Sequence, residues 1–161
     1  MIYTYLVEHK MVPLLTRDWQ AHDKTLIRKR RKLDLAMHAG HGYQESTKIN
    51  WKTFVSVCEV KYRTQPQLDT EAQIQIVNKA FFTLSSQLNR RYFVGITLCS
   101  SRMWVLLFTR GGSVVSAPFD IHHDPHKFLY ILAIFMAGDL LWLGYDKDFS
   151  IGIEDTLWIA C

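Results

Sequence analysis

The chain has 161 residues and a mass of 18.8 kDa, enough for one ordinary domain and too little for two well-packed ones. With 48% hydrophobic and 21% charged residues it can fill a core, which excludes a compositionally disordered chain, and 4 Pro with 8 Gly exclude a collagen-like or linker-dominated one. Its net charge of +4 is mildly basic, short of what coats DNA, so the placement of the charge matters more than its sum.

Tyr3 to Arg31 reads as a weakly amphipathic helical region broken at Pro13. It runs into Arg28, Lys29, Arg30, Arg31 and Lys32, five consecutive cations. Leu33 to Met37 is a short apolar strand carrying one acid, Asp34. Gly40 to Asn50 is polar and glycine-bearing and reads as a loop. Trp51 to Lys61 is rich in β-prone residues and reads as a strand. Asp69 or Thr70 then opens a helix. Its apolar residues Ile74, Val77, Phe81, Leu84 and Leu88, spaced by three and four, predict the face that packs on a sheet.

Tyr92 to Cys99 and Met103 to Phe108 follow as strands, and Gly111-Gly112 turns the second back through Val114 to Ala117 as a hairpin. Asp124-Pro125 starts an apolar helix, and Ile151 to Cys161 adds a last strand. Phe128 to Ala137 is too short to span a membrane, for which about 20 apolar residues are needed, so a buried helix is expected. Trp51, Trp104, Trp142 and Trp158 sit in apolar runs and are expected in the core. The whole predicts a single α/β (α+β) domain around a central mixed β-sheet flanked by helices. Cys58, Cys99 and Cys161 lie far apart without a CxxC, which argues against a disulfide framework or a thiolate zinc site. With no signal-peptide pattern at Met1 to Leu15, an intracellular compartment is expected, nucleus and cytoplasm being indistinguishable.

The strongest local signal is Glu59-Val60-Lys61 at the end of a predicted strand. Side chains alternate across a strand, so Glu59 and Lys61 share a face, with Val60 turned toward the core on the other. A hairpin brings Asp34 to Glu59, and the three are expected to cluster at one sheet edge. Mg²⁺ (or Mn²⁺) takes one or two carboxylates and completes its shell with water and phosphate. Asp34 and Glu59 are thus candidate metal ligands, and Lys61 a group that orients water, in a site cutting phosphodiesters. Glu-x-Lys on a strand also fits a solvated face or a cross-strand pair. The basic run Arg28 to Lys32 fits a phosphate backbone, although such a run is more often a solvated helix end or a localisation signal. His122, His123 and His126 around Asp124-Pro125 are read as solvated or capping groups. Arg90 and Arg91 fit the C-terminal cap of the preceding helix, or a phosphate grip.

This layout resembles the PD-(D/E)XK nuclease superfamily: a helix, a strand with Asp34, a strand with Glu59-Val60-Lys61, a helix, a strand. It resembles more closely the region ahead of the kinase domain in fungal-type protein kinases. The residues that carry that resemblance run from Lys32 and Asp34 through Trp51, Glu59-Val60-Lys61, Gln87 and Arg90-Arg91 to Val94-Gly95-Ile96-Thr97-Leu98-Cys99, Ser116-Ala117-Pro118-Phe119-Asp120-Ile121 and Leu143-Gly144-Tyr145-Asp146. Two departures stand out. An acid of the family's Asp-Arg-x-Gly is replaced in Thr109-Arg110-Gly111-Gly112, and the Gln-xxx-Tyr pattern of RecB-like nucleases finds Gln75 but no tyrosine. The Gly-rich loop, His-Arg-Asp and Asp-Phe-Gly of a kinase catalytic core are absent from these 161 residues. The resemblance implies a nuclease-like core, kinase only by family membership. Its function is either metal-dependent cleavage of nucleic acid or, from a different class, a non-catalytic regulatory module that contacts a protein partner or a kinase domain.

Overall fold

The structure, a computed structural model, describes residues 17, 19–21, 34–38, 51–146, 148–151 and 157–159. The strands are β1 (Trp19–Ala21), β2 (Leu35–His38), β3 (Phe54–Lys61), β4 (Tyr92–Cys99), β5 (Arg102–Thr109), β6 (Gly112–Val115) and β7 (Phe119–Asp120). They form one sheet in the order β1-β2-β3-β4-β5-β6, with β7 also pairing with β5. Every neighbouring pair is antiparallel except β3 and β4. That parallel step needs a crossover, and helix α1 (Pro66–Ser86) supplies it. Helix α2 (Pro125–Ala137) and a 3-10 turn (Leu140–Leu143) follow, and β8 (Phe149–Ile151) pairs with β9 (Leu157–Ile159) as a separate hairpin. The mixed sheet with its helices is as expected. The expected tail strand is present as β9, joined by β8.

The two faces of the sheet hold two cores. On the α1 face Ala72, Ile76, Ala80 and Leu84 pack on Val57, Phe93, Trp104, Leu106 and Phe108. On the other, Phe135 and Leu143 pack on Met37, Val55, Cys58, Ile96 and Met103. A bulge makes this alternation possible along β3. Met37 pairs with Ser56 but His38 pairs with Phe54, so Val55 is the extra residue. Phe54 joins the α1 core while Val55 joins the other. Downstream, Val57, Glu59 and Lys61 point toward α1.

Several expectations are corrected. Trp19–Ala21, read as helical, is a strand hydrogen-bonded to β2, Trp19 opposite Met37. Pairing along a sheet edge overrides weak helical periodicity. Helix α1 begins at Pro66, whose fixed φ and missing N–H suit the first helical position, three residues before Asp69. The stripe that packs on the sheet is the smaller one, Ala72, Ile76, Ala80 and Thr83, rather than the stripe through Ile74 and Phe81. Close approach explains this: a Cβ on Gly95 of β4 would lie 2.8 Å from Ile76 Cγ2, so the helix rests almost on the backbone. Trp51 and Trp104 are buried as expected, but Trp142 is exposed on the 3-10 turn. That turn seats Leu143, not Trp142, in the core. The side chain of Trp158 lies outside the described residues.

Helix α2 starts as expected, Asp124 Oδ1 accepting from the Lys127 N–H at 3.2 Å with Pro125 in the first turn. Among the described residues no helix is long and apolar enough to cross a membrane.

Candidate functional site

The C-terminal end of β3 delivers Glu59 and Lys61 to the underside of α1. Glu59 is buried, and its two oxygens face two ammonium groups. Oε1 accepts from Lys61 Nζ at 3.3 Å, and Oε2 accepts from Lys79 Nζ of α1. Lys79 is itself buried. Lys61 Nζ also reaches Glu71 Oε1 at 3.3 Å and Gln75 Oε1 at 3.4 Å, and Gln75 Nε2 donates to Glu71 Oε1 at 2.7 Å. Residues 71, 75 and 79 are spaced by four, so one helical face carries all three.

Burial raises the Glu59 carboxyl above its ordinary range. The Lys79 charge and hydrogen bond work against that rise, and Asp34 adds to it. For Lys61 burial acts to lower the ammonium, but the Glu59 charge and the bonds to Glu59 and Glu71 together outweigh it and the net shift is upward. Lys61 is thus held as a cation by its two carboxylate partners.

Asp34 precedes β2 by one residue. Leu35 pairs with Cys58, so the next step of the antiparallel register sets Asp34 beside Glu59. Asp34 Oδ2 accepts from the Val60 N–H at 2.9 Å. The three expected residues are therefore brought together, with two corrections. They lie at the ends of interior strands, not at a lateral edge of the sheet, because β1 flanks β2. The faces are also reversed: Val60 is 37% exposed and Glu59 is the buried one. Cover on the α2 face thins toward this end, where Leu98, the register partner of Val60, is only half-buried.

Lys79 is the residue that sequence reasoning missed. It occupies the position four after Gln75 where the Gln-xxx-Tyr pattern would put its tyrosine, so the departure itself was the signal. Arg28 to Lys32 lie outside the described residues. His122, His123 and His126 are exposed, and the His122 and His123 N–H groups donate to Asp120 Oδ1 at 2.8 and 3.2 Å. The bond from Ser101 and these amides hold the Asp120 carboxyl down at about 2. Asp120 thus organises the turn into α2.

Arg90 neither caps α1 nor faces solvent. It is buried, donating to the carbonyls of Phe54, Val55 and Leu143 at 3.1, 2.9 and 2.6 Å. The C-terminal carbonyls of α1 are met by Arg110 instead, which donates to Leu84 O at 3.1 Å and Gln87 O at 3.4 Å. Thr109, standing where an acid was expected, accepts from the Gly111 N–H at 3.2 Å, so its hydroxyl makes the turn contact a carboxylate would make.

A metal fits this donor set poorly. Among the described residues no group of three or more His, Cys, Asp or Glu side chains could hold an ion. Glu59 already faces two ammoniums. Two unit charges about 4 Å apart carry about 4 kcal/mol at an effective dielectric near 20, and a divalent ion doubles that repulsion for each lysine.

A family model described as fungal protein kinase matches residues 32–159. The chain belongs to the fungal protein kinase family. No curated protein and no solved structure gave a match. The matched residues include Asp34, the Glu59-Val60-Lys61 strand end, Arg90 and the Phe119-Asp120 strand.

Proposed function

We propose that this domain of the fungal protein kinase family is a nuclease-like scaffold that acts without catalysis, as a regulatory or protein-interaction module. The observation that carries this is Lys79: its ammonium sits on the carboxylate that a metal-dependent nuclease would offer to its ion. An internal cation there neutralises Glu59 without an ion, and the chemistry of metal-activated water has no place to start. The strand order supports the scaffold half of the reading. β2 with Asp34 at its head, β3 ending in Glu-x-Lys, the crossover helix α1 and then β4 follow the strand, strand, helix, strand part of the layout the PD-(D/E)XK resemblance implies, although β1 falls inside the region that resemblance reads as its first helix.

The second reading is a Mg²⁺- or Mn²⁺-dependent phosphodiesterase using Asp34, Glu59 and Lys61, with Arg28 to Lys32 on the nucleic-acid backbone. The register that sets Asp34 beside Glu59 favours it. Purified protein offered DNA and RNA with Mg²⁺ or Mn²⁺ separates the two. Under the non-catalytic reading, wild type and Glu59→Ala leave the same background trace. Cutting that needs the metal and vanishes in both Asp34→Ala and Glu59→Ala would overturn it in favour of the phosphodiesterase. In that case neutralising Arg28 to Lys32 weakens binding in a salt-dependent way without changing the metal requirement.

A further inference from the structure

Strands β8 and β9 form a hairpin of their own, outside the main sheet. Its register sets Phe149 opposite Ile159, Ser150 opposite Trp158 and Ile151 opposite Leu157. Opposed residues share a face, and faces alternate along a strand. Phe149, Ile151, Leu157 and Ile159 therefore fall on one face, wholly apolar, and Ser150 with Trp158 on the other. A two-stranded hairpin alone in water is marginal and gains stability by laying such a face on a third strand or a helix. The family match runs to residue 159, so both strands belong to the matched region.

An open apolar groove of about 590 Å³ lies along the C-terminal half of α1. Val77 and Phe81 of the helix and Leu88, two residues past its end, line it together with Phe108 and the Gly111-Gly112 turn. Phe81 is 66% exposed and Leu88 58%. Arg110 is the charged residue of the lining, and its guanidinium donates to the carbonyls of Leu84, Gln87 and Arg90. The groove thus matches an uncharged, apolar face.

The chain enters the hairpin from the end of this groove. The Asp146 N–H donates to Asn89 O at 2.8 Å, and the Asp146 carboxylate pairs with Arg91. Asn89 directly follows Leu88, and Arg110 of the groove holds Arg90 O. Phe149 stands three residues after Asp146 and Ile151 five, which limits their reach to roughly 11 and 18 Å. Phe81 lies five residues before the end of α1 at Ser86, about 8 Å along the helix axis. The hairpin therefore reaches both Phe81 and Leu88. Its tether also gives it an effective concentration at the groove that a separate chain lacks.

We infer that the β8–β9 hairpin is a tethered strap that lays its Phe149, Ile151, Leu157 and Ile159 face over the Phe81–Leu88 groove of its own chain. This does not rest on the proposed function above.

Face-specific cross-linking in the full chain tests it. In a Cys161→Ser background, Ser85→Cys in the groove lining is combined with either Ile151→Cys or Ser150→Cys, neighbours on opposite faces of β8. Cys58 and Cys99 are buried and stay out of the reaction. At low protein concentration Ile151→Cys should close an intrachain disulfide at least about ten-fold faster than Ser150→Cys. Phe81→Glu changes an exposed residue, so the circular dichroism of the domain should stay as it is. It should erase that preference and raise amide exchange across residues 149–151 and 157–159 at least about ten-fold, because an unsupported hairpin opens. Leu88→Lys gives an independent second break. Equal rates for the two cysteines, a disulfide that joins two copies instead of closing one chain, or unchanged β8 and β9 exchange in both charge variants would overturn the inference.

Discussion

The two ends of β3 each hold a buried cation, and they hold it differently. At the first end Arg90 lies between the rings of Phe93 and Tyr145, 5.0 and 4.4 Å from their centroids, and its hydrogen bonds go to backbone carbonyls and the Gln87 amide. Burial pulls its pKa down to about 10, which leaves it charged at neutral pH. At the other end Lys79 lies on Glu59. A guanidinium spreads its charge over five donors and a planar face, so carbonyl dipoles and rings suffice. An ammonium is a compact charge and needs a full counter-charge when buried. Arg90 therefore ties β3 to the 3-10 turn as architecture. The Lys79 end instead pairs a buried acid with a buried base at the strand end where the candidate site lies.

The largest effect expected from breaking this contrast is at Arg90. Arg90→Met leaves the carbonyls of Val55 and Leu143 without this donor, while Phe54 O keeps Gln87 Nε2 and Tyr145 Oη. Two buried carbonyls that each lose a charged donor, at about 1–3 kcal/mol each, with the lost ring contacts, predict a loss near 4 kcal/mol in urea unfolding. Arg90→Lys keeps the charge and loses the fork. If Arg90→Lys were as stable as wild type, the fork would not be the reason for arginine here.

Next in size is the pair at the opposite end. Glu59→Gln and Lys79→Met each strand one buried charge and should each cost about 3 kcal/mol. The double variant should recover much of that sum, which a double-mutant cycle reads directly. The pH dependence has a defined sign. The folded carboxyl of Glu59 has a higher pKa than the unfolded one, so the folded state binds more protons between the two values. Stability then falls as pH rises from the ordinary carboxylate range through the raised Glu59 value. Glu59→Gln should flatten that slope. A slope of the same size in Glu59→Gln would assign it to another group.

Much of the fold was legible because its signals are local. Alternating β-prone runs, the Gly111-Gly112 turn and the Asp124-Pro125 cap each depend on a few neighbouring residues. What misled was the choice between two stripes on α1. Size favoured Ile74, Val77, Phe81 and Leu88 as the core face, but the distance between helix and sheet selected Ala72, Ala80 and Thr83, and no local pattern encodes that distance. The candidate site was legible as far as one strand and its hairpin could show, in Asp34, Glu59 and Lys61. Lys79 was marked only by the missing tyrosine four after Gln75, because a lysine in a helix reads as solvent-facing until the opposing carboxylate is in place. Arg90 escaped for the same reason, its partners lying 35, 36 and 53 residues away.

The smallest effect sharpens the comparison from within the site. Lys61 and Lys79 share Glu59, but Lys61 meets Glu59 and Glu71 at 3.3 Å each, longer than the roughly 2.7–2.9 Å of a strong charge-assisted bond, and its side chain is partly open to water. Lys61→Met should therefore cost about 1 kcal/mol or less, as exposed ion pairs do. Lys79 stays in place, so Glu59 keeps its buried counter-charge. The substitution still removes one positive charge that favours ionised Glu59. The carboxyl should rise further, and the pH window over which stability falls should extend upward. A loss as large as that of Lys79→Met would mean that Lys61, not Lys79, neutralises Glu59. The site would then be open on its helix side, the arrangement a metal-dependent nuclease would need.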